Sequence, residues 1–329
     1  MSGHPLAERA FVLGKFMPPH EGHVFLCEFA VGCANKLTIL VCSLPGDPIA
    51  GHLRREWMQA LCPSARVLWC NEDLPQEPKD DPERFWPIWR DVVRRYHPEP
   101  IDVVVASEEY GNRLAAEVGA RFALCDLKRS HVPISATEIR AAPFEHWRYI
   151  PQIVRPHFVK RICLFGPECS GKTSLARALA QVFDTVVAPE FGRTYTEVHG
   201  LELNAQDLRR IAIGQMAAAT ACKRFANKIL IEDTDAVLTG VWSDMLLGAR
   251  ETWFDSVIDY ADLYLLCAVD FGWVDDGTRY FSAEADRRRF FQLCQRELER
   301  RGLSYVTLTG PLETRLERAS AEICQRFGV

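Results

Sequence analysis

The sequence predicts an α/β protein of two domains, each a parallel sheet flanked by helices. Three observations carry that expectation. Short apolar runs alternate with helically spaced segments along the whole chain. A proline-punctuated stretch (Pro143, Pro151, Pro156) divides the chain near residue 156. In each half, a glycine-bearing loop lies between a strand-like run and a helix. A length of 329 residues fits two domains, and 48% hydrophobic residues suffice for two cores.

Ala10–Leu13 is the first strand-like run. After the loop Gly14–His23, Glu21–Ala34 shows helical spacing, with Val24, Cys27 and Val31 at i, i+3 and i+7. Leu37–Cys42 and Arg66–Cys70 read as strands. Arg54–Leu61 and Glu83–Tyr96 read as helices, with Pro87 tolerable only in a first turn. Ile101–Ala106, apolar except for Asp102, has the character of a strand buried on both faces. Tyr110–Val118 is a helix and Arg121–Leu124 a short strand. Beyond the boundary, Val159–Phe165 runs straight into Gly166–Thr173 and a helix over Thr173–Phe183. Thr185–Ala188, Lys228–Glu232, Leu263–Ala268 and Tyr305–Leu308 complete the strands. Ala205–Ala226 and Ala283–Arg301 complete the helices.

A net charge of −5 without a long basic block argues against a general nucleic-acid binder, whose affinity comes from Lys and Arg on phosphates. The 12 cysteines form no CxxC pair and no zinc-spaced cluster. They read as free thiols of a reducing compartment, so a cytoplasmic location is expected. The longest apolar runs, such as Leu263–Val269, are of strand length, and no membrane segment is expected.

The first loop reads Gly14-Lys15-Phe16-Met17-Pro18-Pro19-His20-Glu21-Gly22-His23. Gly14 permits a sharp turn after the strand. Pro18-Pro19 stiffens the loop, and Gly22-His23 opens a helix whose first N–H groups favour anions. His20 and His23 are three apart, so both can face one phosphate. The competing reading is a capping or packing role for the two imidazoles. A second segment, Ile134–Arg140, begins another helix. Ser135 is a natural N-cap, with Glu138 completing a capping box. Ser135, Thr137 and Arg140 would also converge on phosphate oxygens.

The second loop, Gly166-Pro167-Glu168-Cys169-Ser170-Gly171-Lys172-Thr173, obeys the phosphate-loop pattern GxxxxGK[ST] in the strand–loop–helix context it requires, and Ser174 continues it. It should bind ATP. Lys172 is expected to reach the β/γ-phosphates and Thr173 to ligate Mg²⁺. Ile229–Asp235 ends a strand with acids. Asp233 or Asp235 can hold Mg²⁺ or accept a proton from a hydroxyl nucleophile. A solvated strand end is the alternative. Glu190 and Arg193, after the strand ending at Ala188, fall at the same sheet edge, where open α/β sheets bind ligands. Phe271–Arg279 suits a lid, with Asp276 and Arg279 as candidate ligand contacts; an ordinary surface loop is an equal alternative.

Together these motifs resemble the NadR family. Its nucleotidyltransferase signatures (H/T)xGH and ISxTxxR match His20–His23 and Ile134–Arg140, which continues into Ala142-Pro143-Phe144-Glu145-His146-Trp147. Phe85-Trp86 also matches, and the kinase half is similar to the family's ribosylnicotinamide kinase. The resemblance covers essentially the whole chain. It implies a Rossmann-like nicotinamide mononucleotide adenylyltransferase domain over 1–156 and a P-loop kinase domain over 157–329.

The implied function is bifunctional NAD salvage. The kinase would phosphorylate nicotinamide riboside with ATP to the mononucleotide, NMN. The adenylyltransferase would join NMN and ATP into NAD, releasing pyrophosphate. His20, His23 and Arg140 would stabilise charge, assisted by Lys15 and Mg²⁺, and Gly14 and Phe16 would be among the residues that bind ATP. Ser135 and Thr137 would hold the β/γ end. Trp86 would stack on nicotinamide, or be a core tryptophan. Glu190 and Arg193 match the family's glutamate–aromatic–x–arginine segment and would contact substrate. Some members begin with a DNA-binding helix-turn-helix; here the first predicted strand starts at Ala10, and no DNA is expected as a partner. The resemblance also allows a functional link to a membrane riboside transporter, and a homo-oligomer stays open. Two other readings remain: a nucleotide-sensing regulator with weak turnover, and an adenylyltransferase for another phosphorylated substrate.

Overall fold

The computed structural model describes residues 7–79, 83–270 and 280–329. The chain divides into two units, Met1–Arg155 and Pro156–Val329.

In the first unit the order is β1 (Ala7–Gly14), α1 (Glu21–Cys33), β2 (Ala34–Cys42), α2 (Gly51–Leu61), β3 (Arg66–Cys70), α3 (Phe85–Tyr96), β4 (Val103–Ala106), α4 (Tyr110–Val118), β5 (Arg121–Leu124) and α5 (Ala136–Ala141). The strands form one sheet in the order β3-β2-β1-β4-β5, every pairing parallel. Alternation along β1 explains the two layers. Ala10 and Val12 pack with Leu26 and Ala30 of α1 and Met58 of α2. Phe11, on the opposite face, packs with Trp89 and Val93 of α3 and Leu114 of α4. Each such Val, Leu, Met or Phe side chain contributes about 1.5–3 kcal/mol by leaving water.

The second unit runs β6 (Lys160–Phe165), α6 (Lys172–Val182), β7 (Val187–Ala188), α7 (Phe191–His199), α8 (Ala205–Cys222), β8 (Ile229–Glu232), α9 (Ala236–Leu247), β9 (Leu263–Cys267), α10 (Glu284–Arg300), β10 (Tyr305–Leu308) and α11 (Leu312–Phe327). Its sheet has the order β10-β9-β6-β8-β7, again all parallel. Ile162 and Leu164 face Leu175 and Leu179 of α6 and Ile323 of α11. Cys163 and Phe165 face Leu238 of α9 and Phe290 and Leu298 of α10.

Three helices are absent from the sequence reading: α7, α9 and α11. α9 buries Ala236–Val241 without a break, so it presents no amphipathic stripe to detect. α7 buries no residue fully. α8 ends at Cys222, and a short 3₁₀ turn, Lys223–Phe225, completes the expected span. None of the twelve cysteines, all of them among the described residues, is in a disulfide. Among the described residues, no helix is long and apolar enough to cross a membrane.

Candidate active sites

In the first unit, strand order reverses between β1 and β4, and the loops leaving their carboxyl ends diverge. Such a switch point opens a crevice. A cavity of about 500 Å³ lies there, lined by Gly14, Lys15, Phe16, His20, His23, Trp86, Ser135, Thr137 and Arg140. The structure thus brings both sequence motifs to one cavity.

The loop is held from several sides. A Cβ on Gly14 would meet the Phe16 ring at 3.0 Å, so only glycine allows this approach without a shift. Tyr110 Oη donates to the Leu13 carbonyl at 2.7 Å. Arg54, fully buried on α2, donates to the Lys15 carbonyl at 2.8 Å and to Asp47 at 2.6 Å. Arg140 donates to the Met17 carbonyl and to Thr137 Oγ1 at 3.1 Å, tying α5 to the loop. Ser135 forms the expected capping box, accepting from the Glu138 N–H at 3.2 Å.

The two imidazoles do both things that the sequence left in competition. His20 is the N-cap of α1, its Nδ1 accepting from the Gly22 N–H at 3.1 Å. His23 Nδ1 accepts from the His20 N–H at 3.3 Å. With Nδ1 an acceptor on each ring, the neutral tautomer carries its proton on Nε2. The rings stack 3.7 Å apart. Burial, and then the Arg129 charge, lower His20 to about 4. Burial and the neighbouring His20 hold His23 well below the usual imidazole range. The pair is therefore built as neutral hydrogen-bond donors. Arg129, which also lines the cavity and pairs with Glu108 at 3.1 Å, escaped the sequence reading because it belongs to neither motif.

The second cavity, about 180 Å³, surrounds Glu168–Ser174 and includes Glu190, Arg193, Thr234, Trp242 and Tyr280. Gly166 has φ +133°, and a Cβ there would stand 2.8 Å from the Cys267 carbonyl, so glycine is required at the first loop position. Cys169 and Gly171 take left-handed φ values of 54° and 80°, curling the loop before α6. Lys172 Nζ donates to the Gly166 and Pro167 carbonyls at 3.0 and 2.7 Å. Arg315 of α11, buried beneath the loop, donates to the Ser170 carbonyl at 2.8 Å and pairs with Asp270. The Glu168 carboxylate accepts from the Tyr280 N–H at 3.0 Å.

The acids after β8 part company. Asp233 is buried behind the lining residues of the cavity, and its Oδ1 has no hydrogen-bond partner among the described residues. Asp235 points elsewhere, a correction to its expected place in the site. It is the N-cap of α9, with Oδ1 accepting from the Leu238 N–H at 2.9 Å and Oδ2 from Tyr264 Oη at 2.7 Å. Both oxygens are used within the core, and burial pushes the group up to about 6. Glu232, 0% exposed, forms a buried pair with Arg161. Glu190 does face the cavity. Burial raises its carboxyl, against the lowering effect of Lys172. Arg193 lies 3.8 Å from it. Asp276 and Arg279 lie outside the described residues. Trp242 and Tyr280, with ring centroids 5.8 Å apart, give the cavity an aromatic wall that no sequence pattern announced.

The AAA domain family matches residues 161–315. The trifunctional NAD biosynthesis/regulator protein NadR of Escherichia coli (strain K12) is 29% identical over 320 residues, spanning 90% of this chain and 77% of that protein. The protein of the same name from Salmonella typhimurium is 28% identical over the same shares. A crystal structure of NadR protein in complex with NR superposes with a TM-score of 0.79 at 23% identity, covering 99% of this chain and 98% of that one. A second, of NadR protein in complex with NAD and AMP-PNP, gives 0.79 and 23%, covering 99% of each.

Proposed function

The chain belongs to the NadR family, and from that premise we propose that its two units perform consecutive ATP-using steps of NAD salvage. The second unit is a nicotinamide riboside kinase. The riboside 5′-hydroxyl attacks the γ-phosphorus of ATP, its proton passes to a carboxylate, and ADP leaves. The first unit is a nicotinamide mononucleotide adenylyltransferase. The mononucleotide phosphate attacks the α-phosphorus of a second ATP, and pyrophosphate leaves with formation of NAD. The observation that carries this reading is the pair of cavities, one at each phosphate motif, in separate units.

In the kinase unit, Glu190 accepts the hydroxyl proton. It faces the cavity, and its raised carboxyl gives it a stronger hold on that proton. Lys172 leaves its two loop carbonyls for the β/γ-phosphates. Mg²⁺ would be held by the Asp233 Oδ1, unpartnered among the described residues, and by the Thr173 hydroxyl, the hard oxygens it prefers. When bound, the cation neutralises charge on the phosphates. Trp242 and Tyr280 wall the riboside's ring, while Arg193 reaches its polar side.

In the adenylyltransferase unit no enzyme nucleophile is needed. His20 and His23 offer Nε2–H donors to ATP phosphate oxygens, joined by Lys15 and Arg140, and Thr137 holds the β/γ end. Alignment and charge stabilisation supply the rate. Trp86 flanks the nicotinamide ring. Isotopic labelling tests the pair of reactions: label at the γ-phosphorus should enter the mononucleotide, and label at the α-phosphorus should enter, among the nicotinamide products, only the dinucleotide. Label from the α position in the mononucleotide contradicts the scheme.

Asp235→Asn separates the two acids. The amide can still cap α9, so phosphorylation should persist, whereas Asp233→Asn should lose it. The stability effect has a definite sign. The folded chain holds the Asp235 proton up to about pH 6, while an unfolded carboxyl releases it near 3.8. The stabilisation by that proton is complete below 3.8 and is lost as pH rises to about 6. Asp235→Asn should therefore raise the unfolding temperature above about pH 6 and lose that advantage below about pH 4. An equal effect at both pH values contradicts the assignment.

A further inference from the structure

Glu190 and Asp233 leave the ends of neighbouring strands, but the sheet does little to fix their separation. β7 is an edge strand of two residues, Val187–Ala188, paired to β8 only through Val187↔Ile231 and Ala188↔Glu232. Beyond that register, the Asp233 N–H donates to the Ala188 carbonyl at 2.9 Å. The chain then enters two loops: Glu190 and Thr234 line the cavity, and the Asp233 carboxylate lies close enough to raise the Glu190 carboxyl by its charge. Thr234 adopts φ 104°, a conformation rare for a residue with a side chain. Something outside the sheet has to hold it.

Gln215 of α8 does this. It is 1% exposed, and its amide touches both loops. Oε1 accepts from the Phe191 N–H at 2.7 Å. Nε2 donates to the Pro189 and Thr234 carbonyls, each at 3.2 Å. One side chain thus brackets Glu190 from both sides and grips the residue after Asp233. Gly214 sets how closely α8 can approach: a Cβ there would lie 2.2 Å from the Phe191 ring. The helix can press its amide into the gap only because its neighbour has no side chain.

We propose that Gln215 is a positioning residue for phosphoryl transfer, clamping the Pro189–Phe191 and Asp233–Thr234 loops so that their carboxylates converge on one substrate. The inference rests on the kinase reading above. Gln215 acts through backbone groups. Its loss should therefore leave ATP bound and the cavity intact, and should misplace the proton acceptor. Misplacement of about 1 Å is enough to cost about 10²-fold in rate.

Two variants test it. Gln215→Leu keeps volume and helix but removes all three bonds. Gln215→Glu keeps the acceptor for Phe191 and removes the donors to Pro189 and Thr234. With Gln215→Leu, kcat for riboside phosphorylation should fall about 10²-fold. The KM for ATP should change little, and adenylyl transfer by the other unit should stay at the parent rate. The Phe191 amide should exchange its hydrogen faster. With Gln215→Glu, kcat should also fall while that amide stays protected. A lowered unfolding temperature with kcat unchanged in both variants would show a purely structural amide and overturn the clamp. Unchanged exchange at Phe191 in Gln215→Leu would overturn it too. A parent chain that leaves riboside unphosphorylated refutes the kinase reading instead, and the exchange measurement still decides whether the clamp exists.

Discussion

Lys172→Ala abolishes phosphorylation of nicotinamide riboside and leaves adenylyl transfer to the mononucleotide at the parent rate. The expectation follows from where the ammonium sits. It is buried at the first turn of α6, without a salt-bridge carboxylate among the described residues, and it rests on the Gly166 and Pro167 carbonyls of its own loop. Those neutral acceptors balance a buried cation poorly, and incoming phosphates are a better partner. In the transition state, negative charge spreads over the transferred phosphoryl group, so losing this cation costs more than binding. Removing one preorganised charge-stabilising group costs about 10²–10³-fold, and here the loss includes a full charge. The other reaction is spared because its candidate donors all belong to the first unit. Separate assays with riboside and with mononucleotide check both halves. Loss of both activities in a folded variant contradicts independent sites.

His23→Ala produces the converse. Adenylyl transfer falls about 10²–10³-fold, the usual effect of one lost donor to a developing charge, and riboside phosphorylation is unchanged. This side chain also caps the helix, since its Nδ1 accepts from the His20 N–H. Alanine removes both roles, so a second variant is needed. His23→Asn offers an acceptor near the Nδ1 position but cannot reach as far as Nε2. It should restore the stability of the first unit and leave the rate low. His23→Gln, whose amide extends toward the Nε2 position, should recover part of the rate. Full activity in His23→Asn would mean that the cap alone matters.

Both predictions start from motifs that could be read in the sequence because their chemistry is local. A phosphate loop is contiguous: Gly166, Gly171 and Lys172 act within one loop between β6 and α6, and spacing alone announces them. The same holds for His20 and His23, three residues apart at a helix start. The alternation of apolar runs also revealed the parallel sheets, since β4 and β9 are buried on both faces. What could not be read depends on contacts between distant segments. Asp233 and Asp235 look alike in the sequence, and only the packing of Tyr264 against Asp235 assigns one of them to the core. Arg54, Arg315 and Gln215 lie on helix faces that look like ordinary polar positions, yet each is buried against a loop that carries the chemistry. α9 stayed hidden because its first half, Ala236–Val241, is buried on every side and so shows no polar stripe.

The two motifs differ in what they direct. One aims a nucleophile at the α-phosphorus, the other at the γ-phosphorus, and the product of the kinase unit is the substrate of the adenylyltransferase unit. The most direct test supplies the purified chain with nicotinamide riboside, ATP and Mg²⁺ and follows all products in time. The account predicts that ADP and mononucleotide appear first, that pyrophosphate and NAD follow, and that each NAD formed is matched by one ADP and one pyrophosphate. NAD formed without pyrophosphate, or mononucleotide that accumulates and is never adenylylated, would contradict it.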